Sequence, residues 1–259
     1  MYRTIQVVGF IGLVLCLAHS AVMAAECQAT KWITYAGTQL WRMPDSDAYF
    51  YVVDRMAVDA DGAPNAYHPN DIGIDALANA GFPHQGWRSV LVVDPSDANR
   101  PYIQKDGEFA GYFVAKTSLQ DSCLPVTDVR RYVDARRVPY AVFPGAFYAM
   151  KGTGKFGDLG MALNLANGKE SPVIVADAGP PNDPLGEVSI RLAENLGGVN
   201  VNPRNGAGIP SGRFVYLIVP SSGWKPPCPV VREDLQWRAQ ALLARLGGWD
   251  SVRACLGNP

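Results

Sequence analysis

The sequence predicts a mainly β fold, a β-rich α+β arrangement with short helices and one C-terminal helix. Three observations carry that expectation. The 20 prolines and 26 glycines are dispersed along the 259 residues and cut the chain into short segments. Many of those segments are rich in aromatic and β-branched residues, as strands are. Only the stretch 231–246 repeats apolar residues at helical spacing over several turns, with Leu235, Ala239, Leu242, Leu243 and Leu246 on one side and Gly247-Gly248 closing it.

Residues 1–24 read as an export leader. Arg3 supplies the leading positive charge, an apolar run extends to Met23, and Ala24-Ala25 offers small residues for cleavage. Gly9, Gly12, His19 and Ser20 weaken the run as a membrane anchor, and Cys16 lacks the small preceding residues of a lipoprotein site. The mature chain, 25–259, is therefore expected to be one domain, secreted or periplasmic, with no stable membrane insertion once the leader is removed.

Residues 48–58 predict a strand, ended by the turn-forming run Asp59-Ala60-Asp61-Gly62-Ala63-Pro64-Asn65. A short helix is expected over 73–80, closed by Gly81. Further strands are expected over 89–93, 111–115, 140–143, 159–165, 172–176 and 213–219. Asn167-Gly168 makes a hairpin turn, and the returning strand places Val173, Val175 and Asp177 on one face before the bend Ala178-Gly179-Pro180. Ser189 is the expected N-cap of a helix of about two turns, with Ile190, Ala193 and Leu196 apolar and Gly197 ending it.

Charge excludes some partners. With 23 basic and 24 acidic residues the net charge is −1, and no basic stripe favours nucleic acid or an anionic membrane. Cys27, Cys123, Cys228 and Cys255 remain after the leader, an even number that fits two disulfides in an exported protein. Three pairings are open; the expected one joins Cys228 to Cys255 across the C-terminal helix and Cys27 to Cys123. The absence of Cys-x-x-Cys or a nearby histidine argues against a metal site.

Asp177, at a strand end, and Glu187, ten residues later, can return to one side of the structure. Such a carboxylate pair serves glycoside hydrolysis, one group protonating the leaving oxygen and the other activating water or attacking the sugar. A turn aspartate and a helix-dipole glutamate are the plainer alternatives. Asp59 and Asp61 lack the spacing of a calcium loop; they are either turn residues or a subsite for ammonium groups. Tyr67, Trp87, Tyr102 and Tyr148 are candidates for stacking on sugar rings. His68 and His84 carry no ligand pattern, no Gly-x-Ser-x-Gly elbow occurs, and no cofactor is expected.

The segments 173–180 (VIVADAGP) and 185–193 (LGEVSIRLA) resemble the core motif of the family 75 glycoside hydrolases, the chitosanases. The segments 58–67, 111–119, 132–135 and 138–142 resemble the same family in the same order. The resemblance implies an endo-chitosanase cutting β-1,4 links between glucosamine units, with Asp177 and Glu187 as the essential pair and an inverting outcome. Asp59, Asp61, Tyr67 and Tyr148 are then the expected substrate-binding residues, and the partner is chitosan or a related amino-sugar polysaccharide, bound by a monomer. The loop between the two carboxylates is shorter than in fungal members.

Residues 163–168, the Asp-x-Gly-Pro bend and Glu187-Val188-Ser189 before a short helix are similar to a double-psi β-barrel, as in lytic transglycosylases of the rare-lipoprotein-A type and expansins. That fold-level likeness favours Asp177 as general acid and Glu187 as base. It also supplies two competing expectations: an enzyme cleaving peptidoglycan, and a non-catalytic cell-wall glycan-binding barrel.

Overall fold

The computed structural model describes residues 26–84, 86–224, 228 and 233–257 together with Met1. The expected leader, apart from Met1, lies outside the described residues. The chain opens with β1 (Thr30–Tyr35), β2 (Thr38–Arg42), β3 (Tyr49–Val53) and β4 (Ala57–Asp59). After a long irregular stretch come α1 (Trp87–Val90), β5 (Val93–Asp94) and β6 (Asp97–Pro101). The second half holds β7 (Tyr140–Pro144), α2 (Gly145–Tyr148), β8 (Leu159–Asn164), β9 (Glu170–Gly179) and β10 (Glu187–Ser189). It ends with α3 (Ile190–Asn195), β11 (Phe214–Val219), α4 (Leu235–Arg245) and α5 (Gly248–Arg253).

The mainly β expectation holds. Nine strands form one mixed sheet in the order β1-β2-β3-β11-β8-β9-β7-β10-β4, and β5 pairs with β6 apart from it. Among the described residues the large sheet is open, with β1 and β4 at its ends. Its central strands are buried on both faces, which is why β8, β9 and β11 read as nearly unbroken apolar runs. One face packs Tyr51, Ala162, Val173, Val175 and Tyr216 against Phe147 of α2 and Leu192 of α3. On the opposite face, Phe50, Met161 and Val215 lie under Ala239 and Leu243 of α4 and Val252. Further along that face, Tyr140, Val142, Ile174 and Ala176 lie under the irregular stretch through Ala63, Phe113 and Val133.

Several local expectations are corrected. Residues 48–58 are two strands that separate widely: β3 lies between β2 and β11, while β4 forms the far edge beside β10. No helix forms over 73–80. There Asp71 accepts from Leu77 N, and Asp75 accepts from Ala76 N and Asn79 Nδ2, so side chains take the roles helical hydrogen bonds would fill. Ser89 and Val90 finish the single turn α1 rather than starting a strand. Residues 111–115 contribute only isolated bridges, Phe113 with Ile103 and Ala115 with Leu91. The C-terminal helix begins at Leu235, not 231; residues 231 and 232 lie outside the described set. By contrast, the Ser189 cap is present as expected, its hydroxyl accepting from Leu192 N at 3.1 Å.

The disulfide pairing is also corrected, to Cys27–Cys255 and Cys123–Cys228. The α4–α5 pair instead crosses the sheet and delivers Cys255 to the start of β1, where Ala29 and Cys255 share one apolar cluster. Two disulfides suit an oxidising compartment. No helix among the described residues is long and apolar enough to cross a membrane.

Candidate active site

The site is set by one row of the sheet. β7 runs parallel to β9, with Tyr140 opposite Ile174, Ala141 opposite Val175, and then Val142 opposite Asp177. The additional residue on β9 is a β-bulge. It moves Asp177 off the face of Val173 and Val175, where simple alternation puts it, onto the face of Tyr140 and Val142. On its other side Val142 lies opposite Glu187 of β10. Asp177 and Glu187 therefore flank Val142 in one row, their Cα atoms about 9.5 Å apart by two strand spacings.

Glu187 then reaches back across Val142 towards β9. A Cβ added at Gly179 would lie 2.8 Å from Glu187 Oε2 and 3.4 Å from Val142 Cγ1. The Glu187 carboxyl thus rests over Gly179, two residues along β9 from Asp177, a strand rise of about 6.6 Å. Sheet order brings in the third acid, since β4 runs parallel to β10 with Asp59 opposite Ser189. The turn after Asp59 is compressed. Gly62 has φ +74°, and a Cβ there would strike the Val133 carbonyl at 2.1 Å.

Asp59, Asp61, Tyr67, Asp177 and Glu187 line one cleft of about 540 Å³, walled on its far side by Gly81, Gly86 and Pro181. Five of the six expected site residues are therefore together. Tyr148 is not among the cleft-lining residues: it stacks on Phe156 with ring centroids 4.1 Å apart. Trp87 is buried against Phe82, and Tyr102 lines a separate hollow with Phe109. Asp59 and Asp61 form the turn weighed for them and also line the cleft. Asp59 Oδ1 accepts from Asp61 N at 2.8 Å in a turn, and both carboxyls face the cleft.

The two flanking carboxyls have unlike surroundings. Asp177 is 7 % exposed, and its Oδ1 accepts from Ser118 Oγ at 2.6 Å, Ser118 N at 2.9 Å and Ala178 N at 2.7 Å. Burial is the largest influence and leaves its pKa raised, while those three donors and the nearby Lys116 ammonium oppose the rise. Glu187 accepts no hydrogen bond among the described residues. Burial first, then the charges of Asp177, Asp183 and Asp75, raise its pKa to about 7. Asp59 and Asp61 are pushed well up, by burial and by the surrounding carboxylates.

Asp59, Asp61 and Asp177 bring one carboxylate oxygen each within 4.8 Å of one another. Both Asp59 oxygens, Asp61 Oδ1 and Asp177 Oδ1 already take hydrogen bonds. Two open oxygens fall short of the six or more that calcium takes, so these three residues alone do not make a calcium site. In the second acidic group, Asp121 with Cys123 and Cys228, the thiols are joined as a disulfide.

Sequence reasoning missed Asp75, Tyr140, Ser118, Lys116 and Gly179. Ser118 and Lys116 lie within the family-like segment 111–119, a usable signal; Asp75 was hidden inside a segment read as helix. No family model and no curated protein matches the chain, so motif resemblance and cleft geometry carry the functional reading.

Proposed function

We propose that the chain is an exported, endo-acting glycoside hydrolase of the family 75 chitosanase kind, cutting β-1,4 links between glucosamine units as a monomer without a cofactor. The observation that carries this is the unequal treatment of two carboxyls in one sheet row. Glu187, half-buried and without a donor, keeps its proton up to about pH 7 and serves as general acid. Asp177, held by three donors, is the ionised partner that activates water. These roles reverse the order that the barrel likeness favours. The expectation of an inverted product anomer comes with the family resemblance, and it requires the two carboxyls to stand far enough apart to admit a water.

An acidic cleft in a nearly neutral chain also suits a polycation, because local field rather than net charge steers a ligand. The double-psi barrel core belongs to the same proposal. It is supported by the parallel pairs β7–β9 and β4–β10, and by an apolar face filled from both ends of the sheet by Leu40 and Val188.

The test is reducing-sugar release from chitosan by the disulfide-intact mature chain. Asp177→Asn and Glu187→Gln should each lower the rate by about 10³-fold or more, and proton NMR of the first product should show inversion. Wild-type release no greater than that of the variants would sink the proposal. Cleavage of purified sacculi but not chitosan would move it to peptidoglycan, and glycan binding without cleavage to a binding module.

A further inference from the structure

The floor of the cleft has more hydrogen-bond contacts than phenol protons to fill them. The Tyr140 hydroxyl lies 2.9 Å from Asp59 Oδ2 and 3.0 Å from the Asp61 carbonyl oxygen. The Tyr67 hydroxyl lies 2.9 Å from Asp61 Oδ1 and 3.3 Å from Asp75 Oδ2. A phenol has one proton to give, whereas a carbonyl or an ionised carboxylate only accepts. Each hydroxyl therefore meets two acceptors with one proton, unless a carboxyl in each set carries a proton of its own and donates it to the phenol oxygen.

At Tyr140, where a shared three-centre bond would be the weaker arrangement, full bonds to both partners allow one assignment. The Asp61 carbonyl cannot donate, so the phenol proton goes to it and the acid is Asp59. At Tyr67 the proton belongs to either Asp61 or Asp75, and the phenol serves whichever is ionised. The two phenols and Asp75 are out of water, with Tyr140 fully buried, Tyr67 2 % and Asp75 4 % exposed, so an unmade bond at either hydroxyl is not made good by solvent, whereas Asp59 and Asp61 are half-buried at the cleft wall.

We propose that Asp59, Asp61 and Asp75 together store two protons in the cleft floor, one on Asp59 against Tyr140 and one shared by Asp61 and Asp75 across Tyr67. Asp75 thereby becomes a working member of the site. The inference deepens the hydrolase proposal and rests on it only for its consequence. With two protons stored, three floor carboxyls carry one charge, which leaves Asp177 able to stay ionised beside them.

The other charged groups around the floor agree with that count. Lys116 is a nearby cation, its Nζ donating to the Arg88 carbonyl, and its charge acts on Asp177 and Asp61. Arg204 bonds the Asp75 carbonyl and the Asp71 carboxylate rather than the Asp75 carboxyl. Asp75 Oδ1 is satisfied by Ala76 N and Asn79 Nδ2, leaving Oδ2 to Tyr67. Asp177 adds negative charge that discourages ionisation of the floor, and Glu187 does so once it ionises above about pH 7. Burial acts on Asp75 in the same direction.

The experiment is carboxyl ¹³C NMR of the intact wild-type protein labelled at the aspartate side-chain carbon, taken without substrate from pH 5 to 9. Two aspartate carboxyls should retain the protonated shift at pH 7. Asp59→Asn should remove one of them. Asp75→Asn should also remove one, because the new amide donates to Tyr67 and lets Asp61 ionise. Fewer than two protonated aspartates in the wild type overturns the proposal. Should a variant fail to fold, the infrared band of protonated carboxyls in the labelled wild type gives the same count. No glycan enters the measurement, so its failure and the failure of the chitosanase proposal are separate results.

Discussion

The two halves of the cleft are built by different means. The half bearing Asp177 and Glu187 is sheet: both side chains are fixed by register with Val142, and their separation follows from strand spacing and one bulge. The half bearing Asp61, Tyr67, Asp75 and Ser118 is loop, held by side-chain bonds such as the Arg204 clamp on the carbonyls of Asp71, Gly73 and Asp75. Strands supply distance to a fraction of an ångström because every residue in them is tied on both sides. Loops supply hydrogen-bond donors and acceptors, and so decide which carboxyl keeps a proton. Position comes from one half and protonation from the other.

Gly179→Ala breaks the sheet half most directly. Gly179 is not held in a left-handed conformation, so the strand accepts alanine, but the new methyl would sit 2.8 Å from Glu187 Oε2 and push that carboxyl away. A displacement of about 1 Å at a catalytic group costs on the order of 100-fold. The expected outcome is that loss in kcat on chitosan with thermal unfolding nearly unchanged. Full activity would mean that the Glu187 position over Gly179 is not the working one.

Ser118→Ala probes the loop half and should do less. Asp177 loses the 2.6 Å hydroxyl donor but keeps Ser118 N and Ala178 N. Removing a donor to the ionised form raises the pKa of Asp177, so the acidic limb of the kcat/KM profile should move to higher pH. The basic limb, set by Glu187, should stay in place. A roughly 10-fold loss at pH 5 with near-normal activity at pH 7 is the expected pattern. A shift of the basic limb instead would mean that the two halves do not divide the work in this way.

The same division explains what was legible in the sequence. Sheet elements announce themselves through apolar alternation, so β7, β8, β9 and β11 were found within a residue or a few of their observed ends. Local chemistry such as the Ser189 cap was equally plain. The side of β9 on which Asp177 emerges was not, because the bulge answers to the register with β7 and leaves no mark in the local pattern. Asp75 was obscured for a related reason. Residues 73–80 have helix-like composition, and local side-chain bonds to Asp71 and Asp75 together with the long-range Arg204 clamp hold them otherwise. The disulfides needed the path of α4 and α5 across the sheet, which no spacing rule contains.

The smallest effect is on stability. The folded-state pKa of Glu187 is raised from 4.5 to about 7, so the native state binds its proton more tightly than the unfolded chain does. Unfolding then releases a proton between those values, and stability falls as pH rises through that window. The contribution is whole below about pH 4.5 and gone above about pH 7, where a charged Glu187 sits desolvated beside Asp177. Glu187→Gln removes that charge and keeps the shape. Urea unfolding of the disulfide-intact protein should find the variant close to wild type at pH 4 and more stable at pH 8, by on the order of 1–2 kcal/mol after allowing for the partial exposure of Glu187. Equal stability at both pH values would mean that water or a moving loop screens Glu187. In that case the sheet half would fix where the acid stands without keeping it protonated.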